Sequence, residues 1–347
     1  MVLYQYISAF IGFTFAIIAI IAVYFIYLYR GYYTDATDVT GVTGNKETYV
    51  SDNGDSSDSS ANGHIYFMTY KETANFFAKD NDRYVRNLTV LDLHARNVKT
   101  HIEYLNNIED TAISFTEDEK ELLVICAKNA DEYLRNEAFK ELKYGGYLNG
   151  NDIANIKWVF ANTYTNYFND VIKENEQGLP HTRENIIFLS KNVLKNDVLN
   201  LTNTLIHEKI HIYQRYNPDI FAKIINEMGL KEMDKASFRH AKYIRSNPDT
   251  NDKIYYYDKS RNSYLAYLNI LGDGDGDGAG AGDGDGTGDA IDIDNGNIMV
   301  CLYRNDKPNS INDVKQSNFA TEHPYEKIAY EIAENFYKNN KDKYINI

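Results

Sequence analysis

The sequence predicts an α+β fold, mainly helical with a small sheet, preceded by a single membrane-crossing helix. Three observations carry that expectation. Residues 7–28 form an uncharged apolar run, two later segments repeat apolar residues at helical spacing, and the short run "ENIIFLS" has the length and flanks of a strand. With 347 residues, 43% of them hydrophobic and 30 of them Tyr, the chain can bury a sizeable core in one or two domains. A net charge of -14 argues against a nucleic-acid partner, because a phosphate-tracking surface needs clustered Lys and Arg.

The apolar run "ISAFIGFTFAIIAIIAVYFIYL", Ile7 to Leu28, would span roughly 33 Å as a helix at about 1.5 Å per residue, enough to cross the hydrocarbon layer. It is too long for a signal peptide, and "MVLYQY" before it has no basic residue. Cationic groups on its two sides nearly balance, so the positive-inside rule does not orient it. The sequons at Asn87 and Asn200 do not orient it either, since such triplets are common by chance. A single-pass membrane protein is therefore expected.

Residues 31–64 are rich in Asp, Ser, Thr and Gly and cannot offset the entropy of ordering, so they are expected to form a flexible stalk. The body is then 65–347. Within it, residues 272–289, "GDGDGDGAGAGDGDGTGD", alternate Gly with a repelling charge and are expected to be a disordered insertion. They lack the apolar residue that lets calcium-binding Gly-Asp repeats stack.

The first long helix of the body starts at Thr116, where Glu119 stands at capping-box spacing; Leu122, Leu123, Cys126, Ala130, Tyr133 and Leu134 follow along one face. Cys126 and Cys301 are too few for a disulfide framework and have no metal-binding spacing. "ENIIFLS", after the turn-like "QGLPHT", is expected to be a strand, either an edge that accepts an extended peptide or a purely structural one.

The second helix carries the pattern H-E-x-x-H: His207, Glu208 and His211. Residues four apart lie one turn above each other, so both imidazoles can grip one ion while Glu208 projects beside it. With 8 His in the chain the pattern arises by chance in about one such sequence in a hundred. Val198, Leu201, Leu205, Ile206 and Ile210 supply the apolar face, and Pro218 closes the helix. Two imidazoles suit zinc, and a catalytic zinc takes three protein ligands plus an open position. No third His follows within "IYQRYNPDIFAKII", so the third ligand is sought on another helix.

That helix is read in "EHPYEKIAYEIAENFYKNN", with Pro324 at its first position. Glu326, Ala329, Tyr330, Ala333 and Tyr337 share one face, which is apolar apart from Glu326. Glu331 lies with Lys327, Glu334, Asn335 and Lys338 on the solvated face. Periodicity selects Glu326, and the small Ala329 would let the two helices approach.

"HEKIH" with the downstream "EKIA" resembles the gluzincin type of zinc metallopeptidase. "GLPHT", "HIYQRYNP", "RSNPDT" and "EHPYE", in this order, are similar to uncharacterised zincin-like proteins of large DNA viruses and microbes, over roughly Trp158 to Tyr337. The resemblance implies a zincin-like catalytic domain with His207, His211 and Glu326 as zinc ligands and Glu208 as general base, hydrolysing a peptide or protein substrate. The oxyanion or substrate contacts it asks for have candidates in His323, Arg245 and one of Tyr255, Tyr256 and Tyr257. Two other expectations compete with it. The chain could be a membrane or virion attachment protein whose zincin fold has lost activity, or a zinc hydrolase of a non-peptide amide.

Overall fold

The structure is a computed structural model that describes residues 63–96, 98–136, 138–164, 166–168, 171–173, 179–233, 244–250, 253–257, 266–272, 296–302 and 323–344. The body opens with β1 (Ile65–Phe67) and α1 (Tyr70–Lys79), followed by α2 (Val90–Ala95), α3 (His101–Glu109), β2 (Ala112–Ile113) and α4 (Glu117–Asn136). Next come α5 (Gly150–Ala154), β3 (Trp158–Thr163), β4 (Asn166–Phe168), β5 (Val171–Lys173), β6 (His181–Arg183) and β7 (Ile186–Ser190). The long α6 (Val198–Tyr216) leads into α7 (Pro218–Glu227). The chain ends in β8 (Leu230–Met233), β9 (Ile254–Tyr257), β10 (Ala266–Gly272), β11 (Gly296–Leu302) and α8 (Pro324–Tyr344). The fold is α+β and mainly helical.

Five strands form the main sheet. β1, β3 and β7 run parallel in that order, β6 closes one edge antiparallel to β7, and β2 pairs antiparallel with β3. Side chains alternate across a strand, and the two faces are both covered. Trp158, Phe160, Ile187 and Leu189 join the core formed with α4, α6 and α8, while Ala161, Ile186 and Phe188 pack with Phe77 of α1 and Tyr104 and Ile108 of α3. All five residues of β7 are buried for this reason. β7 lies between β3 and β6 and is an interior strand, so the sheet edge on this side is β6 rather than "ENIIFLS".

The capping box that starts α4 is present: Glu119 N donates to Thr116 Oγ1 (3.3 Å), and Thr116 N donates to Glu119 Oε2 (2.8 Å). Leu123, Cys126, Ala130, Tyr133 and Leu134 are buried as expected, with Leu122 half-buried at the margin. Cys126 is a free thiol that burial pushes up to about 11. Asp131 is buried on the same face, which periodicity does not foresee. It is matched by Lys209 of α6, whose Nζ lies 2.7 Å from Asp131 Oδ1 and 3.8 Å from the Trp158 ring centroid.

Asp197 caps α6 by accepting from Asn200 N (2.8 Å), and Pro218 both ends α6 and opens α7 at its first position. α8 packs along α6, and its Tyr325, Ile328, Ala329, Ile332, Ala333 and Phe336 join the shared core. Its buried stripe is therefore turned from the expected one: Tyr330 and Tyr337 are 55% and 37% exposed. The Ile and Phe side chains have no polar tip and take the centre of the interface, which leaves the tyrosines at its rim. Glu326 remains at the buried border.

Residues 7–28, all of 31–64 before Gly63, and 273–289 of the Gly-Asp stretch lie outside the described residues. Among the described residues no helix is long and apolar enough to cross a membrane. β10 and β11 pair antiparallel from Ala266↔Leu302 to Gly272↔Gly296, flanking the Gly-Asp stretch. The side chain of Cys301 also lies outside the described residues.

Candidate metal centre

His207 and His211 stand one turn apart on α6 and present their Nε2 atoms to each other at 3.0 Å. Glu326, in the first turn of α8, brings Oε2 to 3.2 Å from His207 Nε2 and 3.4 Å from His211 Nε2. Ligand atoms at about 2.0–2.2 Å from a tetrahedral zinc lie about 3.3–3.6 Å from one another, so the triangle is only slightly tighter than such an ion requires. Two nitrogens and a carboxylate oxygen are also the donor types a catalytic zinc uses. Among the described residues these three side chains form the one cluster suited to hold a metal ion.

The partners around this triangle favour free lone pairs facing its centre. His211 Nδ1 donates to Gln214 Oε1 (2.8 Å), while Gln214 Nε2 donates to Tyr325 O (3.0 Å). The Tyr325 carbonyl can only accept, which fixes the Gln214 amide with its oxygen on His211 Nδ1 and so turns Nε2 towards the centre of the triangle. The buried Nδ1 of His207 has no hydrogen-bond partner. Its ring lies 4.4 Å from the ring of Tyr330, which covers it from the solvent side.

Glu208 is buried, and its Oε2 has no hydrogen-bond partner. Burial and then the Asp249 carboxylate raise it well above the ordinary carboxylate range. Burial would raise Glu326 too, but the facing His211 and His207 outweigh it and hold Glu326 well below that range. Burial opposes charge on both imidazoles; it wins at His207, which is lowered, whereas the Glu326 and Asp249 carboxylates push His211 up to about 10. The cluster thus concentrates negative charge around two imidazoles, which favours a cation.

A short loop, residues 244–250, completes the surroundings. Asn247 Nδ2 donates to Glu326 Oε1 (2.9 Å). Asp249 Oδ1 accepts from Thr182 N (2.7 Å) on β6, and Arg215 of α6 donates to both Thr182 O (3.2 Å) and Pro248 O (2.9 Å). The outward-facing backbone groups of Thr182 are therefore occupied, so an extended peptide cannot pair with β6 at that residue without displacing this loop or Arg215. "GLPHT", "HIYQRYNP", "RSNPDT" and "EHPYE" meet here through Thr182, Gln214 with Arg215, Asn247 with Asp249, and Glu326.

The other sequence candidates are placed as follows. His323 is buried at the start of α8, with Nε2 donating to Lys253 O (2.8 Å) and Nδ1 accepting from Tyr325 N (3.1 Å). Both ring nitrogens are committed to the backbone and burial lowers its pKa to about 4, so it serves as a neutral helix cap rather than an oxyanion donor. Arg245 is half-buried in the loop, two residues before Asn247. Tyr255 is buried, 5.3 Å from the His323 ring. The side chains of Tyr256 and Tyr257 lie outside the described residues.

Sequence reasoning singled out His207, Glu208, His211 and Glu326, and the structure brings the three ligand candidates together. It missed Gln214, Asn247 and Asp249 as neighbours of the centre, whereas Tyr330 was placed on the Glu326 face. Gln214 at i+3 from His211 was legible in principle, whereas Asn247 reaches Glu326 through tertiary contact alone. No protein-family model matches the chain, and no curated protein or solved structure shows a significant match to it.

Proposed function

We propose that this protein is a zinc-dependent metallopeptidase, anchored to a membrane by residues 7–28, that hydrolyses a peptide or protein substrate. The observation that carries this reading is the triangle of His207 Nε2, His211 Nε2 and Glu326 Oε2, with sides of 3.0, 3.2 and 3.4 Å, joined by an unpartnered buried Glu208 Oε2. Zinc bound there supplies Lewis acidity and lowers the pKa of water towards ~7. His207, His211 and Glu326 would hold the ion. Gln214 accepts from Nδ1 and so orients the His211 ring with Nε2 towards the ion.

Glu208 takes a proton from water as it attacks the scissile carbonyl and returns it to the leaving amine. Burial and the Asp249 carboxylate raise its pKa above that of an ordinary carboxylate, which makes it the stronger base.

The test uses the full-length protein in mild detergent. One zinc per chain is expected, lost in the His207→Ala with His211→Ala double variant. Glu208→Gln should retain zinc yet cleave a diverse peptide library about 10²- to 10⁴-fold more slowly. A zinc-loaded parent that cleaves nothing in such a library would refute the peptidase reading.

A further inference from the structure

Glu326 has two carboxylate oxygens, and the structure gives them different work. Oε2 faces the two imidazoles at 3.2 and 3.4 Å. Oε1 accepts from Asn247 Nδ2 at 2.9 Å. The Asn247 amide cannot be turned around without loss, because its Oδ1 accepts from Asp249 N at 2.8 Å. A flip would leave that N–H facing an NH₂ group and turn an oxygen towards a carboxylate.

The loop around Asn247 is pinned on both sides. Before it, Ser246 N and Oγ donate to Asp92 at 2.9 and 3.0 Å, and Asp92 is itself buried in α2. After it, Pro248 O accepts from Arg215 and Asp249 Oδ1 accepts from Thr182 N. Three separate elements thus fix the backbone of a single amide whose donor points at one oxygen of Glu326. A carboxylate on a metal binds through one oxygen or through both, and the second mode fills a coordination position that chemistry needs open.

We propose that Asn247 is a positioning residue that holds Oε1 of Glu326 away from the ion, so that Glu326 binds through Oε2 alone and leaves one coordination position open. The proposal rests on the reading of His207, His211 and Glu326 as a metal site. Asn247 touches neither ion nor substrate; it acts through Glu326.

Cobalt(II) tests it, because its visible absorption reports coordination number independently of activity. In the full-length parent the spectrum should be the intense four-coordinate type, and azide should perturb it by entering the open position. Asn247→Asp keeps an acceptor for Asp249 N but removes the donor; Asn247→Leu removes both groups at similar volume. At saturating cobalt both variants should show weaker, higher-coordinate bands and a blunted azide response. Asn247→Leu should also bind the metal about 10- to 100-fold more weakly.

A role confined to loop folding would change thermal stability but leave the saturated spectrum parental, and that result overturns the proposal. A measurement on the parent alone guards against variants that do not fold. The infrared difference between zinc-loaded and metal-free protein should show the wide carboxylate splitting of one-oxygen ligation, and a narrow splitting overturns the inference. If the parent binds neither cobalt nor zinc, the metal reading fails and takes this inference with it; if it binds and only the Asn247 outcomes fail, the metal reading stands.

Discussion

His207, Glu208, His211 and Glu326 were legible because each is a departure from a local pattern: a polar group on a helix face that should be apolar is costly unless something satisfies it. The choice between Glu326 and Glu331 shows how far this logic reaches. Glu326 is buried against both histidines, whereas Glu331, one and a half turns on, accepts from Tyr144 Oη at 2.7 Å and pairs with Lys327 at 3.6 Å. Glu326→Ala should therefore weaken zinc binding at least about tenfold in a chelator competition. Glu331→Ala should leave affinity unchanged and lower stability only modestly, by about the 1–3 kcal/mol of a half-buried hydrogen bond to a charged group. Reversed affinities would place the third ligand on the other face of α8. Asn247 and Asp249 escaped the sequence because nothing local distinguishes them from ordinary turn residues; only the fold reveals their partners.

At the scale of elements, the long helices were readable and most strands were not. α4, α6 and α8 each carry enough turns for periodicity to emerge, and caps or prolines mark their starts. β1 and β2 have three and two residues, and their pairing partner β3 is distant in sequence, so no local signal defines them. The position of β7 as an interior strand is likewise set by partners on both sides. Periodicity also passed over the buried Asp131 of α4, which accepts from Lys209 Nζ of α6 and from Trp158 Nε1 of β3 (3.2 Å). That carboxylate ties three elements together. Burial lowers Lys209 to about 8, yet Asp131 beside it favours the charge. Removing the carboxylate by Asp131→Ala leaves Lys209 buried without its counter-charge, so stability in urea should fall by about 3–5 kcal/mol. A loss below about 1 kcal/mol would mean that the pair contributes no more than an exposed one.

At the scale of the whole molecule, the candidate ligands come from opposite sides of a long intervening sequence: α6 gives two, and α8, the last helix, gives the third. α8 is held to the body by the buried Tyr325, Ile328, Ala329, Ile332, Ala333 and Phe336, which places Glu326 within reach of α6 before any ion binds. An ion that bridges the two helices binds the folded chain far better than the unfolded one, where the ligands are dispersed. Linkage then requires it to stabilise the fold, by about 2.7 kcal/mol at free zinc one hundred times Kd and about 4.1 kcal/mol at one thousand times. Denaturant unfolding of the full-length protein should show a higher midpoint with zinc and a lower one after chelation. Hydrogen exchange should slow most where α6 and α8 meet, because separation of those helices is the opening that an ion opposes. The His207→Ala with His211→Ala double variant should unfold at the same midpoint with zinc or chelator. An equal response in parent and double variant would place the stabilising metal elsewhere in the chain, and the triangle between α6 and α8 would then be a hydrogen-bonded cluster rather than a metal centre.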